Sequence, residues 1–160
     1  MDNIKMKTLS LCKFNKDNKY HMIFLKKMIS DKTITARFNG FLPNLTKNYD
    51  DDILGKGFFV ADEKNLIGYV DIGNYSEDER SVYIRQAIDI EKRGKSYGKR
   101  TLSEISDLIF YMHPEVESIK AKVANDNIAC LRMLSDCGYK WLHDDYYALE
   151  NPYIKNSNKK

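Results

Sequence analysis

Eight consecutive residues, Arg93-Gly94-Lys95-Ser96-Tyr97-Gly98-Lys99-Arg100, constrain this chain more than any other stretch. Ahead of them, Val82, Ile84, Gln86 and Ile88 alternate with their neighbours at the two-residue period of a half-buried strand. Behind them, Leu102, Ile105, Leu108/Ile109 and Met112 recur every three or four residues until Pro114, a helix period followed by its stop. A strand that turns through glycines into a helix presents unpaired main-chain N–H groups at the positive end of the helix dipole. Four of the eight side chains are Lys or Arg, so charge and geometry agree. The stretch predicts an anion site, with a diphosphate-bearing ligand as the first expectation.

The rest of the chain can be read around that turn. A first strand is expected within residues 4–13, then a helix capped by Asn15 or Asp17 with Tyr20, Ile23/Phe24 and Met28 on its apolar side. A short helix to about Phe38 leads into a Gly/Pro loop and the acidic run Asp50-Asp51-Asp52, which also reads as a solvated loop. Gly57–Ala61, Leu66–Ile72 and residues 81–89 form an expected antiparallel meander. A helix over about 97–113, a strand at 119–123 and a helix over about 128–137 closed by Gly138 follow. Tyr139–Leu149 reads as two short strands turning at Asp144-Asp145, and residues 154–160 as a frayed tail. The order β-α-α-β-β-β-α-β-α-β predicts an α/β fold with a mixed sheet, in one domain over 1–160.

Composition narrows the function classes. A 160-residue chain that is 42% hydrophobic has enough material for a proper core, and a net charge of +3 is weak for a dedicated nucleic-acid binder. Cys12, Cys130 and Cys137 are odd in number and lack metal-ligand spacing, and His21, His113 and His143 lie on different elements. Reduced thiols and no metal site are expected. No apolar run has the length of a membrane span, and the first residues lack a signal peptide's hydrophobic region, so a cytoplasmic protein without membrane or nucleic-acid partners is expected.

Three phosphate-binding patterns compete for the glycine turn. The dinucleotide fingerprint needs three glycines, and only Gly94 and Gly98 are present. The nucleotide P-loop needs wider glycine spacing and a hydroxyl where Arg100 stands. The stretch Asp89-Ile90-Glu91-Lys92-Arg93-Gly94-Lys95-Ser96-Tyr97-Gly98 resembles the R-G-x-G-x-G/A signature of the GNAT acyltransferase superfamily. Asn125-Asp126-Asn127-Ile128-Ala129-Cys130-Leu131-Arg132 followed by Gly138-Tyr139 resembles that family's later helix start and closing G-[FY]. The likeness covers roughly residues 55–141 and is nearest the ribosomal-protein and protein N-terminal acetyltransferase (RimJ/RimL-like) branch.

That resemblance implies a mostly antiparallel, twisted sheet of about six or seven strands flanked by four helices, with its fourth strand bulged and splayed from the fifth. It implies acetyl-CoA as co-substrate and direct attack of a primary amine on the thioester. Main-chain groups at Ala87, Ile88 and Ile90 would meet the pantetheine arm and the oxyanion. Arg93, Gly94, Lys95, Ser96, Tyr97, Gly98 and Lys99, with Arg100, would meet the phosphates, and Asn127 would cap the later helix or bond the arm. Ser96 replaces the family's middle glycine, which fits only if that position needs no positive φ or tolerates strain. Leu134 stands where many members carry a tyrosine proton donor. Cys130 is the positional candidate for that proton, unless it is simply a small packed helix residue, and Tyr146 or Tyr147 is the alternative. Asp71, Asp89 or water could serve as base. The acceptor region would include Phe38, Phe41, Tyr49 and Asp51, whose aromatic and acidic character suits a cationic amine or a peptide amino terminus. A CoA-binding regulatory module without turnover is the rival reading, and a homodimer stays open.

Overall fold

The computed structural model describes residues 3–37, 45, 46 and 48–157, with side chains placed except at 35–37 and 155–157. Its elements are β1 (Asn3–Lys5), β2 (Ser10–Cys12), α1 (Lys19–Ser30), α2 (Lys32–Arg37), β3 (Lys56–Asp62), β4 (Asn65–Ile72), β5 (Ser81–Ile88), α3 (Tyr97–Met112), β6 (Ser118–Lys122), α4 (Ile128–Asp136), β7 (Lys140–His143), β8 (Tyr146–Glu150) and α5 (Pro152–Ser157). They form one eight-stranded sheet in the order β1-β2-β3-β4-β5-β6-β8-β7. The β3-β4-β5 meander is antiparallel, with Phe59 opposite Tyr69 and Tyr69 opposite Ala87.

Strand alternation sends side chains to two faces. Phe58, Val60, Val70, Val82, Ile84 and Ile119 point to the face covered by Leu102, Ile105 and Ile109 of α3 and Leu134 of α4. Phe59, Tyr69 and Ala87 point to the other face, beneath Phe24 and Met28 of α1 and Ile34 of α2. The sheet is therefore the middle layer of three.

Three local expectations need correction. The first strand is a hairpin, because Met6 N–H closes a turn on the Leu9 carbonyl at 2.9 Å. The buried Glu104 carboxylate holds that turn by accepting the N–H groups of Thr8 at 2.7 Å and Leu9 at 2.9 Å. Asn18, rather than Asn15 or Asp17, caps α1, accepting from Tyr20 N–H at 2.9 Å and His21 N–H at 3.3 Å. The chain after Glu150 starts another helix: Asn151 Oδ1 accepts Tyr153 N–H at 3.0 Å, and α5 runs on through Ser157 into the expected tail.

Candidate active site

The site is built where β5 gives way to α3. Asp89 caps a short 3-10 turn over Ile90–Lys92 by accepting Glu91 N–H at 3.2 Å. The chain then passes two left-handed residues, Gly94 (φ +79°) and Ser96 (φ +64°), before α3 begins. Ser96 thus holds a conformation that costs an L-residue about 1 kcal/mol or more. The backbone does need the positive φ, and the serine tolerates the strain. Its hydroxyl makes no capping bond, and the first turn of α3 contains no acid. The N–H groups of Tyr97, Gly98 and Lys99 have no intrahelical acceptor at that end, which is the arrangement an anion completes.

Beside this turn the sheet opens. β5 and β6 pair in parallel from Ser81–Ser118 to Tyr83–Lys120. β6 goes on to pair with β8 as far as Lys122–Tyr146, while β5 continues alone on that side to Ile88. The expected bulge in β5 is absent: its register with β4 runs unbroken from Ile84–Ile72 to Ile88–Gly68. Divergence from β6 alone produces the opening.

The pairing also decides which main-chain groups face it. Gly73 N–H donates to Tyr83 C=O at 2.8 Å, and Asp89 N–H donates to Ile67 C=O at 2.9 Å. Antiparallel pairs alternate, so the odd residues of β5, including Ala87 opposite Tyr69, turn their N–H and C=O toward β4. The even residues, Gln86 and Ile88, turn theirs into the opening. Ala87 is therefore spent on the sheet, and Gln86 takes the place expected for it. Ile90 lies outside the strand, half-exposed on the 3-10 turn.

The cations divide into clamps and contacts. Arg93 turns back onto the protein, donating Nε–H to Ile88 C=O at 3.1 Å and Nη1–H to Thr33 Oγ1 at 3.1 Å, with Asp31 at 4.0 Å. Arg100 donates to Thr8 Oγ1 at 2.9 Å and lies 5.2 Å over the Tyr97 ring, whose hydroxyl donates to Asp62 at 2.6 Å. Lys99 reaches Asp136 of α4 at 3.9 Å, across exposed surface. Lys95 is exposed and has no ion pair among the described residues. Both carboxylates considered as bases are engaged. Asp71 accepts from Arg85 at 2.6 Å; Asp89 is buried and accepts from Lys27 at 2.8 Å. The Asp89 hydrogen bond and then that of Glu91 raise the pKa of Lys27, so the lysine pinning α1 to the turn stays charged.

α4 brings the later motif alongside. Asn127 Oδ1 accepts Cys130 N–H at 3.3 Å, so the asparagine is a cap, and Cys130 is half-buried in the first turn. Leu134 is buried in the main core and carries no polar function. Tyr139 sits near it with its hydroxyl 2.8 Å from Ser106 Oγ; burial pushes its phenol well above the ordinary range, so it stays protonated and its hydroxyl is engaged within the core. Tyr147 is half-buried on β8 opposite Ala121. Exposed Ile90 and Ile128 flank the turn and α4, apolar surface that a bound arm could cover.

Of the acceptor candidates, Phe38 and Phe41 lie outside the described residues. Tyr49 donates its hydroxyl to Gly57 C=O at 2.7 Å and lines a cavity of about 710 Å³ with Phe14, Lys13 and Leu45. Asp51 is exposed between two engaged neighbours, Asp50 with Lys56 at 2.9 Å and Asp52 with His113 at 2.5 Å. His113 caps the C-terminal end of α3, so the acidic run sits about 24 Å from the glycine turn along a 16-residue helix. The other histidines are engaged elsewhere. His21 accepts Asn15 N–H on Nδ1 at 3.0 Å, and burial lowers its pKa; His143 packs on Tyr146.

Against known proteins, no family model matches the sequence, and no curated protein matches it. Solved structures do. An acetyltransferase of the GNAT family from Bacillus anthracis superposes with a TM-score of 0.71 at 18% identity, covering 93% of this chain and 98% of its own. The fold is that of the GNAT acetyltransferases. A spermidine N-acetyltransferase chimera from Vibrio cholerae and hSSAT gives 0.67 at 19% identity over 94% of this chain and 99% of that one. The aminoglycoside acetyltransferase AAC(6')-Ib in complex with coenzyme A gives 0.69 at 15% identity, over 95% and 99%. Among the described residues, eight strands and five α-helices exceed the expected six or seven and four, the additions being the second strand of the β1–β2 hairpin and α5. Among the described residues no helix is long and apolar enough to cross a membrane.

Gln86 and Lys27 are the residues that sequence reasoning missed. Gln86 could have been found by fixing the hydrogen-bonding parity of β5 from its turns. Lys27 is one lysine among many on an amphipathic helix and carries no such signal.

Proposed function

We propose that this chain is an acetyl-CoA-dependent N-acetyltransferase acting on a primary amine. One observation carries the reading: an uncapped α3 N-terminus, reached through two left-handed residues, adjoins a strand whose outward main-chain groups at Gln86 and Ile88 have lost their β6 partner. The donor set fits a CoA. Amides at the turn and Lys95 would meet the diphosphate, the polar edge of β5 would meet the amides of the arm, and Asn127 would offer its NH₂. Structures of this fold include ones in complex with coenzyme A, which supports the same ligand.

Acetyl-CoA, when bound, supplies the activated acyl group. The chain's own part is to hold and to donate. Outward N–H groups of β5 stabilise negative charge on the acyl oxygen, a fixed-dipole role that needs no reorganisation. Cys130, in the first turn of α4, is the group we assign to protonate or hydrogen-bond the departing thiolate, with Tyr147 as the alternative. With Asp71 and Asp89 engaged as counterions, the acceptor's proton leaves through water. An alkylamine with pKa about 10.4 is neutral in only about one molecule in two thousand at pH 7, so turnover rises with pH.

The acceptor is a protein N-terminal amine or a small-molecule amine. The solved relatives named for spermidine and aminoglycosides make the second class concrete. One observation favours a second reading, a CoA-binding module without turnover: Leu134 is an inert core residue where the resemblance places a proton donor. Calorimetric titration with acetyl-CoA followed by a panel of amines, scored by release of free CoA thiol, separates the readings. Binding with turnover of at least one amine is the expected result. Binding with no turnover selects the module, and no binding overturns both.

A further inference from the structure

The side chain of Gln86 poses a question that the fold alone does not answer. It points to the α3/α4 face of β5, where Nε2–H donates to Gly98 C=O at 3.0 Å and lies 3.7 Å from Met133 Sδ. Its Oε1 is buried and has no hydrogen-bond partner. The amide cannot be turned round to repair this, because the oxygen would then face the Gly98 carbonyl with no proton between them. A buried amide oxygen without a donor costs about 1–3 kcal/mol, and such groups mark a missing partner.

The position restricts what that partner is. Gln86 is one of the two β5 residues whose main-chain groups face the opening toward β6. Its side chain is also tied to the first turn of α3, which would receive the diphosphate. The missing partner must therefore be an N–H or O–H donor lying between the strand opening and α4. Met133 packs beside the same amide: its sulfur lies 3.7 Å from Nε2 and 3.0 Å from where a Gly98 Cβ would be, and an unbranched thioether adapts to a new neighbour more readily than a branched side chain. The pantetheine arm carries two secondary amides, each with one N–H donor, and on the polar edge of β5 the Ile88 C=O is already engaged by Arg93.

We propose that Gln86 is a positioning residue for the arm: its Oε1 accepts a pantetheine amide N–H while its Nε2–H holds the Gly98 carbonyl. One side chain thereby couples the thioester end of the cofactor to the turn that grips its diphosphate. This rests on the CoA reading above, and it adds a side-chain contact that the main-chain account does not contain.

The test compares two ligands by calorimetry. Adenosine 3′,5′-bisphosphate carries the 3′-phosphate and the first 5′-phosphate of CoA but lacks the second 5′-phosphate and the arm, so each ligand's affinity is compared between wild type and variant. In Gln86→Leu, CoA affinity is expected to fall about tenfold, which is about 1.4 kcal/mol at 25 °C, while bisphosphate affinity stays within about twofold. The wild-type protein gives a second readout that no folding defect can affect. Its Gln86 side-chain amide resonances should shift when CoA is added and not when the bisphosphate is. Unchanged CoA affinity in the variant, or an equal loss for both ligands, overturns the proposal, as does a Gln86 resonance indifferent to CoA. If the wild-type protein binds neither ligand, the parent reading fails instead.

Discussion

Replacing Ser96 with glycine tests the turn at its most strained point. Ser96 holds φ +64° and ψ +12° with no capping bond from its hydroxyl. A left-handed L-residue costs about 1–2 kcal/mol, and a glycine there escapes that cost. Glycine also has more unfolded-state freedom to lose, about 0.5–1 kcal/mol. The difference predicts that Ser96→Gly stabilises by about 0.5–1 kcal/mol, a rise in Tm of about 1–4 °C for a chain of this size. Ser96→Ala keeps the Cβ and loses only an unengaged hydroxyl, so its stability should stay within about 0.5 kcal/mol of wild type. Ser96→Val crowds a branched side chain into the same φ and should lose at least about 1 kcal/mol. Urea denaturation of the three variants measures the order. CoA affinity of Ser96→Gly should remain within about threefold, since the donors at the turn are main-chain groups. The reasoning is wrong if glycine destabilises, or if alanine falls as far as valine.

The remaining predictions concern charge and chemistry. Lys95→Ala should weaken CoA binding about threefold to tenfold with no change in Tm, whereas Arg93→Ala, which loses its bonds to Ile88 and Thr33, should lower Tm first; the reverse pattern would exchange their roles. Cys130→Ala should cut turnover at least tenfold with CoA affinity intact, and unchanged turnover removes Cys130 from the mechanism. His113 is pulled down by burial, but its hydrogen bonds to Glu115 and Asp52 outweigh that and raise its pKa above 6.5. Its contribution to stability is therefore complete below pH 6.5 and is lost as pH rises through the higher folded value. Asp52 and Glu115 have pKa values lowered from 3.8 and 4.5, so theirs is lost as pH falls below that range. Urea midpoints from pH 5 to 9 should decline on the alkaline side in wild type and flatten in His113→Gln.

Much of this architecture could be read from residue order because several signals agreed locally. The β3-β4-β5 meander, α3, β6, α4 and the closing hairpin all stand within a residue or two of where periodicity put them. The misreadings have two physical origins, partners remote along the chain and competition among equally good local caps. The β1–β2 hairpin depends on Glu104, which is 96 residues from Thr8, and no local pattern announces that contact. The choice of Asn18 over Asn15 and Asp17 is a contest among three good caps within four residues. It is settled because Asn15 Oδ1 already accepts Asp17 N–H at 2.9 Å and Asn15 N–H is held by His21.

The candidate site was legible to a different degree, because it is made of backbone. Glycine spacing and clustered cations announce a turn of the shape that suits an anion, since only certain residues permit such a turn. They do not say where each cation points, and Arg93 and Arg100 prove to be clamps that hold the turn to α2 and to the β1–β2 hairpin. Nor does side-chain identity reveal which β5 residues offer their amides to a ligand. Ala87 and Gln86 are neighbours, and one hydrogen-bonding step decides that the first serves β4 while the second faces the opening. A substitution at Ala87 is therefore expected to act through packing under α1, and one at Gln86 at the edge that faces the opening. A pair of adjacent variants with equal stability loss but unequal CoA affinity would display that parity directly.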